Sequence, residues 1–445
     1  MKYTKPTIVK IGNPLYLKHG SSNQNYQFIR DSIEGVKVSD LVSQFGSPLF
    51  VFSKPILQQK FREAKKALDE IYPNVCFGWS YKTNYLNAIC KTFHDEGAIA
   101  EVVSGFEYEK ARALGVAGKD IIFNGPYKSK ESLQRAIEEG AQIHVDHFDE
   151  VSDIEEIAKE LGKTVSLGIR INLNAGIYPV WSRFGFNLES GQAMVAVNRI
   201  LRSSNLKIGG IHCHIGTFVI DNNAYGRALE KMIKFSEEVE SLAKYEMEFF
   251  DIGGGFASKS SLKNIYHSPE ISIPSVGDYA KAISKALQPL RGRKNPPKLI
   301  LELGRHLVDE AGFLITSVVA DKMLIDGRRA YTLDAGVNLL YTSTWYKFKI
   351  ELESKTSGET SGIAEPSILF GPLCMNIDVV DEAILLPRLK RFQRLILSPV
   401  GAYNVTQWMQ FIQYRPAIVM IDGNSEVRVI RRAEGLEDIN GMESL

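Results

Sequence analysis

The chain has 445 residues, enough for about three average domains, or for one α/β barrel of about 250 residues with a companion. Hydrophobic residues make up 44% and charged residues 24%, which excludes a mostly disordered chain. The formal net charge is +1, so no surface is built overall for a polyanion, and no nucleic-acid partner is expected.

The start, MKYTKPTIVKIGNP, carries early lysines but no apolar run, so no secretory signal is expected. No apolar stretch reaches about 18 residues, so no membrane span is expected. Cys76, Cys90, Cys213 and Cys374 are scattered and form no C-x-x-C pair. That is neither a disulfide framework nor a zinc pattern, and it fits a reducing cytoplasm.

Residues 1–49 read as an extension packing on a later β domain. From 50 to 310, short β-rich runs alternate with helical patterns. The strands fall at 75–81, 99–104, 121–125, 143–146, 165–172, 208–216, 248–255 and 299–303. Several are near-continuous apolar runs, as strands buried on both faces require. Helical patterns at 86–96, 106–114, 130–139, 150–161, 222–244 and 278–290 lie between them, and many stop at a glycine. Eight alternations in about 250 residues predict a (β/α)8 barrel. An open doubly wound sheet is the alternative. From 311 to 445 the texture becomes all-β, with runs at 313–319, 330–333, 367–370, 379–386, 394–399, 417–422 and 427–431. Asp422-Gly423-Asn424 reads as a hairpin turn. Residues 352–366 read as a flexible insertion, and 258–277 as a long loop that is either a lid or plain surface.

Polar residues gather where the barrel strands end: Lys82, Glu101, Ser104, Asn124, Arg170, His212, His214, Glu302 and Arg305. Barrel enzymes place their chemistry on that face. Gly253-Gly254-Gly255 after the seventh strand lets backbone N–H groups approach an anion, although a bare triple glycine also makes a tight turn. With Arg305 after the eighth strand it matches the phosphate site common to barrels. A lysine at a strand end is usually solvated or salt-bridged. Lys82 beside a phosphate site also suits a Schiff base with pyridoxal 5′-phosphate. No metal is expected, since no histidine–carboxylate cluster has ligand spacing.

The ordered set SYKTN, AEVVSGFE, IIFNGPYKS, HCHIGT, DIGGG, ELGR, LDAGVN, GPLCMNID and GAY resembles the fold-type III pyridoxal-phosphate decarboxylases. This group acts on diaminopimelate, ornithine and arginine, and the likeness is strongest to the diaminopimelate enzymes. It runs from about residue 45 to the end. The resemblance implies that Lys82 holds the cofactor as a Schiff base, and that carbon dioxide leaves a quinonoid carbanion. It implies that His214 stacks on the cofactor ring and Glu302 pairs with its nitrogen. Gly253, Gly254, Gly255 and Arg305 match the phosphate cradle, with Thr217 near it, and Tyr403 matches a phosphate contact from the β domain. Cys374 and Asp378 match a motif presented by the opposite subunit of a homodimer with shared active sites. Cys374 or Lys82 would return the proton. A carboxylate at the ring nitrogen favours decarboxylation over racemisation. A catalytically silent regulator-binding homologue is the reading from another class, and intact Lys82, His214 and Glu302 argue against it.

The departures concern the substrate. The diaminopimelate enzymes read Cys-Glu-Ser where this chain has Cys374-Met375-Asn376, and Arg-Pro where it has Thr342-Ser343. Both ends of a zwitterionic clamp are thus lost, which matters because a buried charge without its partner costs several kcal/mol, roughly 3–5. Tyr341, Arg183 and Lys347 are the nearby candidates to replace them. The expectation is a decarboxylase of an amino acid, or of an intermediate derived from one, with an altered far-end pocket. The alternative is diaminopimelate decarboxylation with a rebuilt clamp.

Overall fold

Eight short strands run parallel around a closed circle in the computed structural model, which describes residues 28–263, 269–354 and 364–444. They are Val75–Ser80, Ile99–Val102, Ile121–Phe123, Gln142–Val145, Val165–Asn172, Leu206–His212, Phe249–Asp251 and Lys298–Leu301. Each pairs with the next in chain order, and the eighth returns to the first through Leu299 beside Val75. All eight expected strands are present, and the closed circle rules out the open sheet. Each ends one to four residues earlier than the apolar runs suggest, or at the same residue. The trailing residues (Lys82, Glu302 and their like) leave the ladder to form the rim.

Helices cover the outside for the expected reason. Lys130–Glu139 buries Leu133, Ala136 and Ile137 on one stripe, and Gly140 closes it in the left-handed conformation at φ 73°. Ser129 caps its start by accepting the Ser132 N–H. Lys54–Asp69 precedes the first barrel strand and buries Leu57, Phe61, Ala64 and Leu68. Inside the barrel, strand packing is tight enough to dictate small residues. A Cβ on Gly168 would lie 2.3 Å from the His144 ring, and one on Gly210 would lie 2.4 Å from the Phe249 carbonyl.

The remaining chain forms a second sheet. Its path runs Val379–Pro387, Ala364–Phe370, Arg329–Leu333, Gly312–Met323, Leu49–Ser53, Ile418–Ile421, Val427–Arg431, while Arg394–Ser398 also pairs with Gly312–Met323 and with Lys349–Leu352. Leu49–Ser53 lies at its centre, antiparallel to Gly312–Met323 and parallel to Ile418–Ile421. A barrel segment starting at residue 50 therefore needs correction. That position falls within a central strand of the second sheet, because Leu49-Phe50-Val51-Phe52 is fully buried and pairs on both edges. Residues 355–363 of the expected insertion lie outside the described residues. So do 264–268 of the long loop, whose start is a short strand, Ser261–Leu262, paired with Tyr346–Lys347.

Candidate active site

Lys82 sits on a single helical turn, Tyr81–Thr83, where the first barrel strand ends. Its Nζ donates to both oxygens of Glu101, at 2.8 and 3.0 Å. Glu101 is fully buried, while the lysine side chain is 38% exposed at the barrel mouth. Burial opposes the ammonium, but Glu101 and Glu302 outweigh it and hold Lys82 above the ordinary lysine range. The neighbouring residues tie this turn to the second sheet. The Asn84 side chain donates to the Gly401 carbonyl at 3.0 Å, and the Tyr403 N–H donates to the Thr83 carbonyl at 2.9 Å. Tyr403 itself adopts φ 64°, and so the Gly401-Ala402-Tyr403 loop turns over the barrel mouth.

Glu302 follows the eighth strand and points inward. Its Oε1 accepts from Asn124 Nδ2 at 2.9 Å, and its Oε2 lies 3.5 Å from His212 Nε2. Burial works against its charge, but His212 and Lys82 prevail and hold it well below the ordinary carboxylate range. Asp251 goes the other way. Burial, with Glu302 beside it, pushes it well up. Such opposite shifts follow from crowding, since two like charges about 4 Å apart repel by about 4 kcal/mol at an effective dielectric near 20.

His214 accepts the Gly254 N–H at its Nδ1, 3.0 Å away. Burial, reinforced by the charges of Lys82 and Arg170, lowers it to about 3, so the ring is neutral at physiological pH. The triple glycine makes this contact possible. A Cβ on Gly253, where φ is 65°, would lie 2.7 Å from His214 Nδ1, and one on Gly254 would lie 2.2 Å from the Glu302 carbonyl. The expected use of these glycines needs revision in part. The Gly253 N–H is taken by Asp251 Oδ1 at 2.8 Å and the Gly254 N–H by His214, so these two N–H groups position side chains rather than face an open anion site.

Arg305 is buried and stands over the rings of Tyr346, at 4.2 Å, and Tyr403, at 5.1 Å. One guanidinium N–H reaches Asp309 Oδ2 at 3.1 Å, while Nε has no partner among the described residues. Asp309 joins the parts. It accepts from Ser258 and Ser260 at 2.6 and 2.8 Å, and its other oxygen accepts the Ala402 N–H at 3.2 Å. The start of the long loop, Arg305 and the Tyr403 loop therefore meet on one carboxylate. The i,i+4 spacing from Arg305 is the only sequence signal that could have found Asp309.

Thr217 is exposed and lines a cleft of about 470 Å3 with Tyr178, Trp181, Phe218 and Ile220. Trp181 also leans on His214, with ring centroids 5.4 Å apart. Arg183 is exposed on the same loop and stacks on Phe184 at 5.2 Å. Tyr341 packs edge-on against Trp345. Cys374 is exposed. Asp378, expected to meet substrate, is buried with its oxygens accepting the Val337 and Leu373 N–H groups at 2.8 and 2.7 Å. Both acceptors are used in pinning two turns together, a correction to its expected role.

Sequence reasoning missed His144. It brings its ring 4.8 Å from that of His212, stacked, and its Nδ1 3.9 Å from Asp251 Oδ2. The fold thus gathers His144, His212, Asp251 and Glu302, with ligand atoms within 4.8 Å of one another, although no local spacing announces it. Four ligands around one zinc stand only about 3.4 Å apart, so the group is too open for a tetrahedral ion as it stands.

These residues fit pyridoxal phosphate. An amine waits at the mouth and an ionised carboxylate lies deeper. A neutral ring stands beside them, and a buried guanidinium keeps one N–H unspent. A family model described as pyridoxal-dependent decarboxylase, pyridoxal binding domain, matches residues 56–309. The diaminopimelate decarboxylase of Neisseria meningitidis serogroup A is 31% identical, covering 91% of this chain and 96% of its own. That of Aquifex aeolicus is 28% identical, covering 92% and 94%. Among solved structures, diaminopimelate decarboxylase from M. jannaschii in complex with L-lysine has a TM-score of 0.84 at 27% identity, covering 95% of this chain and 98% of that one. Over half of this chain thus matches the family model, and the chain belongs to the pyridoxal-dependent decarboxylases.

Proposed function

We propose that this decarboxylase acts on an amino acid whose far end is not the ammonium–carboxylate pair of diaminopimelate. The observation that carries this is Thr342. It is buried where the resemblance places an arginine, and both its N–H and its hydroxyl donate to Asn404 Oδ1, at 3.2 and 2.8 Å. The position serves to fix the Tyr403 loop and offers no cation. Lys347 turns instead toward Asp381 and the Ala383 carbonyl. Arg183 makes no ion pair among the described residues and is a cation free to meet an anionic group, and Tyr341 is the polar candidate proposed alongside it.

When bound, the cofactor supplies an electron sink for the pair left by departing carbon dioxide. Lys82, charged and tethered by Glu101, is the amine that holds it. Ionised Glu302 would favour a proton on the cofactor's ring nitrogen, and Arg305, with Tyr403 beside it, would hold the phosphate. Neutral His214 offers a flat face and carries no charge toward the ring. Lys82 Nζ, or the Cys374 thiol of a second copy, returns a proton to the substrate carbon. That role for Cys374 rests on a homodimer with shared active sites, a reading its exposure favours. A reducing cytoplasm suits four cysteines that are all unpaired.

Diaminopimelate decarboxylation is the second reading. It is favoured by relatives of that name at 28–31% identity over nearly the whole chain. Carbon dioxide release from meso-diaminopimelate, compared with release from amino acids bearing neutral or singly charged far ends, tests the two. We expect the panel to outpace diaminopimelate. Efficient lysine formation would overturn the proposal in favour of the second reading.

A further inference from the structure

Three carboxylates, Glu101, Asp251 and Glu302, are buried in the barrel mouth, and the structure distributes their hydrogen-bond donors unequally. Glu101 has the Lys82 ammonium. Glu302 has the Asn124 amide on one oxygen at 2.9 Å, and His212 Nε2 stands 3.5 Å from the other. Asp251 has one backbone N–H, from Gly253, on Oδ1, and its Oδ2 has no partner among the described residues. A proton shared among buried carboxylates rests where donors are fewest, since each donor favours the ionised form. That carboxylate is Asp251, and Glu302 is spared.

We propose that His212 is a positioning residue that keeps Glu302 ionised and aimed at the cofactor's ring nitrogen, with His144 holding the His212 ring in place. The proposal rests on the reading of Glu302 as the nitrogen's partner. The support from below is specific. The His144 ring is stacked on that of His212 and on Phe249, the latter at 5.5 Å. Gln142 engages His144 Nε2 at 2.8 Å, which fixes the ring's rotation. Gly168 leaves the space that this ring fills. Burial pushes both histidines below the ordinary imidazole range. His212 Nε2 stands 3.5 Å from both Glu302 Oε2 and Asn124 Nδ2, and its Nδ1 has no partner among the described residues, so we assign its proton to Nε2, facing Glu302. The other charged or polar groups facing the pair are Lys82, Arg170, Asn124, Asp251 and Glu101. Of these, Asn124 donates directly to Glu302, and Asp251 lies within hydrogen-bonding reach of it.

The test uses holoenzyme loaded with cofactor labelled with 15N at the ring nitrogen. The nitrogen's chemical shift reports its protonated fraction directly. In the native protein we expect a protonated nitrogen. In His212→Phe, which keeps an aromatic ring for His144 to stack on but removes the donor, we expect the protonated fraction to fall. The kcat at saturating cofactor should drop by about 10- to 100-fold, the loss expected for a hydrogen bond to a charged group, with KM little changed. His212→Gln, whose amide reaches the same distance, should restore most of the protonated signal. If His212→Phe does not fold, His212→Asn, too short to reach Glu302, gives the same reading. A native-like shift in both donor-deleted variants, while Glu302→Gln loses the protonated signal, overturns the proposal alone. A native-like shift in Glu302→Gln overturns the reading of Glu302 beneath it.

Discussion

The second sheet and the barrel mouth use the same strand chemistry to opposite ends. In the sheet, Leu49, Val51, Phe313, Ile315, Val419 and Ile421 form an apolar core with Ile33, Val38 and Leu41. Each large side chain buried there contributes about 1.5–3 kcal/mol. In the barrel, the strands are mostly apolar but carry polar residues toward their ends. There Glu101, Asn124, His212, Asp251 and Glu302 are buried together. Burying such groups opposes stability unless each is hydrogen-bonded, and here Asp251 Oδ2 and Arg305 Nε find no partner among the described residues. One region holds the fold, and the other holds charge in readiness. A substitution should therefore injure stability or chemistry, according to which region it strikes.

Lys82→Ala should break the chemical side most severely. We expect carbon dioxide release to fall more than about a thousandfold, with an unfolding transition close to native by chemical denaturation. Ile421→Ala should do the reverse. It leaves a cavity in the sheet core and should remove about 2–5 kcal/mol of stability, while activity per folded molecule stays native at moderate temperature. Glu107 sharpens the comparison, because it lies behind Glu101 and caps the Val103 N–H at 2.8 Å. Burial raises it to about 7. The folded state thus keeps a proton that the unfolded chain releases near pH 4.5, so native stability falls as pH rises between about 4.5 and 7, then levels off. Glu107→Gln should abolish that slope, and the difference between the two proteins across the window should reach up to about 3 kcal/mol. Lys91→Ala removes an exposed pair with Asp95 that belongs to neither region. Its effect on denaturation should stay within about 0.5 kcal/mol.

Much of this division is legible in the amino-acid order. Apolar runs that alternate with helical patterns stopping at glycines reveal the eight strands, and the polar residues that trail them mark the rim. The residues that organise the rim are harder to see. His144 is one polar residue inside an apolar strand, and only barrel closure brings it beneath His212. Asp309 gathers Ser258 from 51 residues before it and Ala402 from 93 residues after it. Asp378 matches a motif in sequence, yet its oxygens are consumed by two backbone N–H groups that no motif records. The strand Leu49–Ser53 looks like an entry to the barrel, because strands buried on both faces read alike in either domain.

The most direct test is chemical mapping of the cofactor's attachment. The holoenzyme is reduced with borohydride, digested, and its peptides weighed for the pyridoxyl group. The label is predicted on Lys82, the amine held between Glu101 and Glu302. A label on another lysine, such as Lys128 in its buried pair with Glu150, would contradict the site built here.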